Sequence, residues 1–172
     1  VNKALSALAG AGLIVRRRRS GTIVASPPAS HAMLDILSIP EEVQRLGQAY
    51  AYEVLSRSDG RAAADVVERF GLKRSDKVAH LVVLHRADGK PHVLEERVIH
   101  AATVPGLMEE DFAWTPPGDW LLRHSLWSQA EHAISAVGAG PEEAGLLGIA
   151  VGEPCLLVER RTWNQSKPVT AV

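Results

Sequence analysis

Two β-prone runs, Lys77–His85 and His92–His100, flank a turn built on Asp88-Gly89. So short a connection lets neighbouring strands pair only antiparallel, because a parallel partner needs a long crossover. This hairpin therefore sets the class of sheet the chain can build. Further strands are expected at Ala49–Leu55, at Gln129–Val137, and in a terminal hairpin made by Cys155–Trp163 and Val169 onward. Helices are expected at Pro40–Leu46, within Gly60–Phe70 up to Gly71, at Met108–Phe112, Trp120–His124 and Pro141–Leu147. Hairpins outnumber β-α-β crossovers, so the expectation is an α+β domain, an antiparallel sheet with helices packed on it.

A different pattern precedes that sheet. Leu5, Leu8 and Ala9 recur at helical spacing before Gly10 and Gly12, and the β-prone runs Leu13-Ile14-Val15 and Thr22-Ile23-Val24-Ala25 follow. Between them lie Arg16-Arg17-Arg18-Arg19 and Ser20-Gly21, a basic hairpin tip. A helix followed by a hairpin with a basic tip is the C-terminal part of a winged helix-turn-helix. Ser26-Pro27-Pro28-Ala29-Ser30 then reads as a linker. The expected divisions are residues 1–25 for the winged remnant, 26–40 for the linker and 41–172 for the sheet domain. Val1–Leu5 reads as helix interior without a cap, and Lys167–Val172 as the opening of a strand. The chain is thus expected to be a fragment at both ends, with its C-terminal strand truncated.

Charge follows the same division. Up to Leu34 there are five basic residues and no acidic ones, leaving 14 basic against 20 acidic residues for the rest. A basic end on an acidic body suggests that the two ends meet different partners. Apolar residues make up 46% of the 172 and charged residues 23%, ordinary for a globular protein. Cys155 is the only cysteine, which points to a reducing, cytoplasmic setting and a buried structural thiol. No apolar run approaches the roughly 20 residues that span a bilayer. No metal-ligand spacing, no nucleophile beside a base and no phosphate-cradling glycine loop is present, so neither catalytic residues, nor a metal, nor a cofactor is expected.

Arginine offers a fork of donors suited to phosphate oxygens, so Arg16, Arg17, Arg18 and Arg19 are candidate DNA contacts, with Ser20-Gly21 freeing backbone N–H groups. The order Val1-Asn2-Lys3-Ala4-Leu5, Gly12-Leu13-Ile14-Val15-Arg16-Arg17 and Ser20-Gly21-Thr22-Ile23-Val24 resembles the end of the DNA-binding domain of the GntR family of bacterial regulators. The resemblance implies that Asn2 and Lys3 face the major groove, while Arg16, Arg17, Ser20, Gly21 and Thr22 contact backbone or minor groove. Arg19 departs from the glycine often found there. With the first helices of that domain missing, this fragment is not expected to bind an operator by itself.

From about Ala49 onward the chain is similar to the UTRA effector domain of the HutC branch of that family. The resemblance rests on Ala87-Asp88-Gly89-Lys90-Pro91, Leu94-Glu95-Glu96-Arg97, Glu131-His132, Ala144–Ile149, Gly152–Leu157 and Arg160-Arg161-Thr162-Trp163. It implies a sheet related to chorismate lyase, a homodimer formed through this domain, and a metabolite that alters operator affinity. Within the branch, Leu94–Arg97, Trp120-Leu121, Glu131-His132 and Arg160–Trp163 look most like the members that repress histidine-utilisation genes. That implies urocanate as the inducer.

Urocanate is a flat acrylate carrying an imidazole. Its site needs a cation for the carboxylate and hydrogen-bond partners for the ring nitrogens. Arg97 fits the carboxylate, while His85, Glu95, Glu131 or His132 fit the ring; Trp120 can stack and Thr115 can donate a hydroxyl. Glu131 and His132 point to opposite faces of a regular strand, so at most one serves, with His132 preferred. Hairpin register decides the rest. A two-residue Asp88-Gly89 turn sets His85 opposite His92 and away from Glu95 and Arg97; a three-residue Ala87-Asp88-Gly89 loop puts His85, Glu95 and Arg97 on one face. The bland readings are that Glu95 and Arg97 form a surface ion pair, His132 is an ordinary strand histidine, and Trp114 and Trp163 are core or dimer contacts. Two other functions fit the residues less well: a regulator of the same family sensing a sugar phosphate, and a chorismate-lyase-like enzyme. The first wants a second basic residue near His85, where Val83 stands; the second leaves the basic wing without a purpose.

Overall fold

The computed structural model describes residues 14–17, 21–24 and 38–172. Two short strands, β1 (Ile14–Arg17) and β2 (Gly21–Val24), pair antiparallel with Ile14 opposite Val24 and Arg17 opposite Gly21. This is the hairpin expected of the wing; its tip, Arg18, Arg19 and Ser20, lies outside the described residues, as do Asn2 and Lys3. A second compact unit begins at Leu37 and runs to Val172.

That unit opens with α1 (Ile39–Arg45), whose N-cap Ser38 accepts a hydrogen bond from the Glu41 N–H at 3.2 Å. Pro40 occupies the first turn, where its missing N–H costs nothing. Glu41 and Glu42 at the start and Arg45 at the end suit the helix dipole. The remaining elements are β3 (Tyr50–Arg61), α2 (Ala64–Phe70), β4 (Lys77–Ala87), β5 (Lys90–His100), α3 (Pro117–His124), β6 (Gln129–Gly138), α4 (Pro141–Leu147), β7 (Pro154–Asn164) and β8 (Lys167–Ala171). The six long strands form one sheet in the order β3-β4-β5-β8-β7-β6, every neighbour antiparallel.

Most elements stand where the sequence places them, with two differences. β3 runs through Gly60 and Arg61, so α2 starts four residues after Gly60; Gly71 ends it in the left-handed conformation. Met108–Phe112 is a turn followed by irregular chain, not a helix. There the Phe112 and Ala113 N–H groups are taken by the side chains of Glu110 and Asp111, at 3.0 and 2.8 Å, and Phe112 itself has φ of 57°. Side-chain acceptors that capture nearby backbone donors compete directly with a helical ladder.

The sheet has two differently furnished faces. On one, α2 packs Val66 beside Ala62, Leu72, Val78 and Val98. On the other, the loop after β5 and α3 bury Phe112, Trp120 and Leu121 against Ala79, Leu81, Val83 and Ile99. Arg57 fixes this covering loop by donating to the carbonyls of Leu107 and Glu110 with its guanidinium over the Phe112 ring, and the Tyr52 hydroxyl donates to the Phe112 carbonyl at 2.6 Å.

Candidate effector site

The register between β4 and β5 places the site. Ala87 faces Lys90 and Arg86 faces Pro91 around the two-residue turn Asp88-Gly89, both with positive φ, the pattern of a tight hairpin turn. His85 then faces Val93, so His92 is an extra, bulged residue. The turn therefore has the length of the first arrangement considered from sequence and the side-chain outcome of the second. The bulge absorbs one residue, and from there Val83 faces Glu95 and Leu81 faces Arg97. His85, Glu95 and Arg97 consequently share the face covered by α3 and its loop.

These three side chains meet. Glu95 accepts from Arg97 Nε at 2.7 Å and from Nη2 at 3.0 Å, a bidentate fork. All three residues are buried, at 5% exposure or less, so the pair is not the surface cluster of the bland reading. His85 Nδ1 shares a 2.8 Å hydrogen bond with the Tyr50 hydroxyl. Its Nε2 stands 3.6 Å from the Glu95 carboxylate and has no hydrogen-bond partner among the described residues. Burial by itself pushes the Glu95 pKa up, but the Arg97 charge, the nearby His85 ring and the bonds from Arg97 overcome it and hold the carboxyl well below its usual range. Burial, helped by the charges of Asp119 and Glu95, pushes the Tyr50 phenol above its usual value. The phenol keeps its proton and can donate it to His85 Nδ1, an arrangement in which the ring presents an N–H at Nε2.

Around this centre stand residues that the sequence did not mark as site candidates. Gly118, in the first turn of α3, lies so close to Arg97 that a Cβ there would sit 3.3 Å from Nη2. The Ser38 hydroxyl stabilises the Asp119 carboxylate, but burial outweighs it and raises the pKa. Thr170 of β8 lies 3.5 Å from Arg97 Nη1. Arg160 of β7 faces His132 of β6 in register, and its pKa is brought down to about 10 by burial and by the Arg97 charge. The readable signal for Arg160 was parity: it lies two residues before Thr162, which pairs with Thr170.

The other candidates fall as follows. Trp120 is in the core; its ring meets Phe112 edge-on at 5.6 Å and stacks on His124 at 4.4 Å. Thr115 is half-buried in the loop before α3. His132 is half-buried on the same sheet face as Arg97, and burial together with Arg160 lowers its pKa. Glu131 points away and pairs with Arg161 at 3.3 Å. Trp114 is 93% exposed, hence no core residue, and Trp163 is half-buried. Of the wing residues, Arg16, Arg17, Gly21 and Thr22 lie in β1 and β2.

Residues 45–172 match the UTRA domain family. The chain is 33% identical to a histidine utilization repressor of Pseudomonas putida over 171 residues, covering 99% of this chain and 69% of that protein. The chain belongs to the UTRA-domain regulators of the GntR family, of HutC type. A histidine utilization repressor of Klebsiella aerogenes is 32% identical over 170 residues, 70% of its length. Among solved structures, the C-terminal domain of the histidine utilization repressor from Pseudomonas syringae matches with a TM-score of 0.66 and 29% identity, over 72% of this chain and 87% of that one. PhnF from Mycobacterium smegmatis matches 99% of this chain with a TM-score of 0.69 and 76% of its own length, at 23% identity, a likeness of fold. The UTRA sheet thus carries the His85–Glu95–Arg97 cluster at its centre.

Proposed function

We propose that this UTRA chain is the sensing part of a repressor of histidine-utilisation genes, and that urocanate binding releases the repressor from operator DNA. The observation that carries the proposal is the buried His85–Glu95–Arg97 cluster on the covered face of a sheet whose relatives are named histidine utilization repressors. An N–H donor at His85 Nε2 and the carboxylate of Glu95 suit an imidazole, which has one donor and one acceptor nitrogen. The guanidinium of Arg97 holds Glu95 in place on that face. In this reading Thr115, Trp120 and His132 complete the site, and the role assigned is binding, not catalysis. The intact protein acts in the cytoplasm, where the β1–β2 wing and Asn2 and Lys3 meet DNA.

The coupling follows from α3. Its Gly118 lies beside Arg97, and its Asp119 carboxylate is stabilised by Ser38, which caps the helix directly after the linker. A ligand that moves Arg97 or Asp119 changes the footing of that helix. It shifts the DNA-bound state only if it binds one arrangement more tightly than the other.

Calorimetric titration with urocanate, histidine, imidazole propionate and glucosamine 6-phosphate in parallel tests the reading. Urocanate should bind selectively, and Arg97→Ala should abolish its binding. A response confined to the sugar phosphate would keep a metabolite-responsive regulator and overturn the histidine pathway.

A further inference from the structure

Arg97 is not free to serve as the main anchor of a carboxylate. Its Nε and Nη2 are committed to Glu95, its Nη2 side is closed by Gly118, and only Nη1 is loosely held, at 3.5 Å from Thr170. A second guanidinium, Arg160, stands on the same sheet face. Thr162 pairs with Thr170 and Thr170 with Ile99, so residues 160, 162, 170, 99, 97 and 95 project to one side. Arg160 interacts electrostatically with both Arg97 and Glu95, repelled by the first and attracted by the second. The Arg160 Nε is buried and has no hydrogen-bond partner among the described residues. Two arginines thus share one buried carboxylate, which leaves an excess positive charge beside an unsatisfied donor. An unsatisfied buried charged donor is costly, and a bound anion removes that cost.

The other unpartnered buried atom of this cluster is His85 Nε2, on β4. Glu95 and Arg97, on β5, lie between β4 and β7 in the sheet order. We infer that the effector lies across the sheet with its carboxylate on Arg160 and its uncharged ring end at His85, the Glu95–Arg97 pair forming the floor between them. This assigns to Arg160 the anchoring role that the sequence suggests for Arg97, and makes Arg97 a positioning residue that fixes Glu95. The inference rests on the proposed function only for the identity of the effector, since the anion subsite is defined by Arg160 and its neighbours.

The test compares urocanate with its neutral primary amide, which keeps the shape and removes the charge. Wild-type protein should bind urocanate at least about tenfold more tightly than the amide. Arg160→Gln should erase that difference by weakening urocanate alone, and Arg160→Lys should restore part of it. In parallel, the side-chain Nε–H resonance of Arg160 in the wild-type chain, assigned by its loss in Arg160→Lys, is followed by nuclear magnetic resonance during titration with urocanate, acetate, glucosamine 6-phosphate and the amide. A shift with anions and none with the amide is expected, and it is read on the wild-type chain. Arg160→Gln binding urocanate as the wild type does, or an Arg160 resonance indifferent to every anion, overturns the assignment. If urocanate does not bind but another anion moves the Arg160 resonance, the histidine reading fails and the anion subsite stands.

Discussion

At the scale of single residues, the buried Glu95–Arg97 fork is the costliest feature of the unit to disturb. Taking either charge out of water is unfavourable, and each is tolerable only because the other is there. Glu95→Gln should therefore destabilise the unit by about 3 kcal/mol in urea unfolding, since it strands the Arg97 charge. The pH dependence follows from the depressed Glu95 pKa. The ionised group contributes fully above about pH 5, where a glutamate in the unfolded chain is also ionised, and its contribution is lost as pH falls below that range. Unfolding midpoints measured from pH 7 down to pH 3 should fall steeply for the wild type and less for Glu95→Gln. Equal slopes would remove Glu95 as the source. Candidate residues were legible here because Glu95 and Arg97 stand two apart on a strand, a spacing that forces a shared face. Tyr50, Asp119, Ser38 and Arg160 were not, because what brings them to the cluster is β3, α3, α1 and β7 converging from distant parts of the chain.

At the scale of elements, the hairpin shows why periodicity alone was insufficient. Both strands were evident from their β-branched and apolar content, yet the face carrying Glu95 depended on one residue. Sequence reasoning framed the choice as a two- or a three-residue loop, and the structure reaches the required parity through a tight turn and a bulge at His92. A bulge leaves almost no signature in composition, since His92 is simply an exposed side chain without a partner opposite. Its consequence is testable. Deleting His92 leaves His85 opposite Val93 and should retain urocanate binding within about tenfold of the wild type, as estimated for an intact site. Inserting alanine between Val93 and Leu94 turns Glu95 and Arg97 to the α2 face, or forces a second bulge, and should abolish binding. Binding that survives the insertion and not the deletion would contradict this register. The expected helix at Met108–Phe112 failed for a related reason: local acceptors on Glu110 and Asp111 outweigh a weak helical pattern.

At the scale of the whole molecule, the covered face of the sheet ends at β8. Beyond it, Ile134, Leu156 and Val158 project on the same side with 68%, 72% and 42% of their surface exposed. Apolar side chains clustered on one sheet face mark an association surface. Together with the dimer implied by the family resemblance, this makes the β6–β7 face the expected contact between two copies. Leu156→Glu should shift sedimentation equilibrium of this chain from dimer to monomer; an unchanged dimer would place the contact elsewhere. The division into a basic wing and a sensing sheet was readable from charge and from the proline-rich junction, whereas the consequence of ligand binding for the wing is a property of the assembled protein. The most direct measurement is therefore operator occupancy. Fluorescence anisotropy of a labelled operator from a histidine-utilisation promoter, bound by the protein with its entire DNA-binding domain, is followed as urocanate is added. Release of the operator by urocanate and not by histidine, with no release from Arg97→Ala, is the predicted result. Unchanged occupancy at saturating urocanate, in protein that binds the operator, would contradict the account.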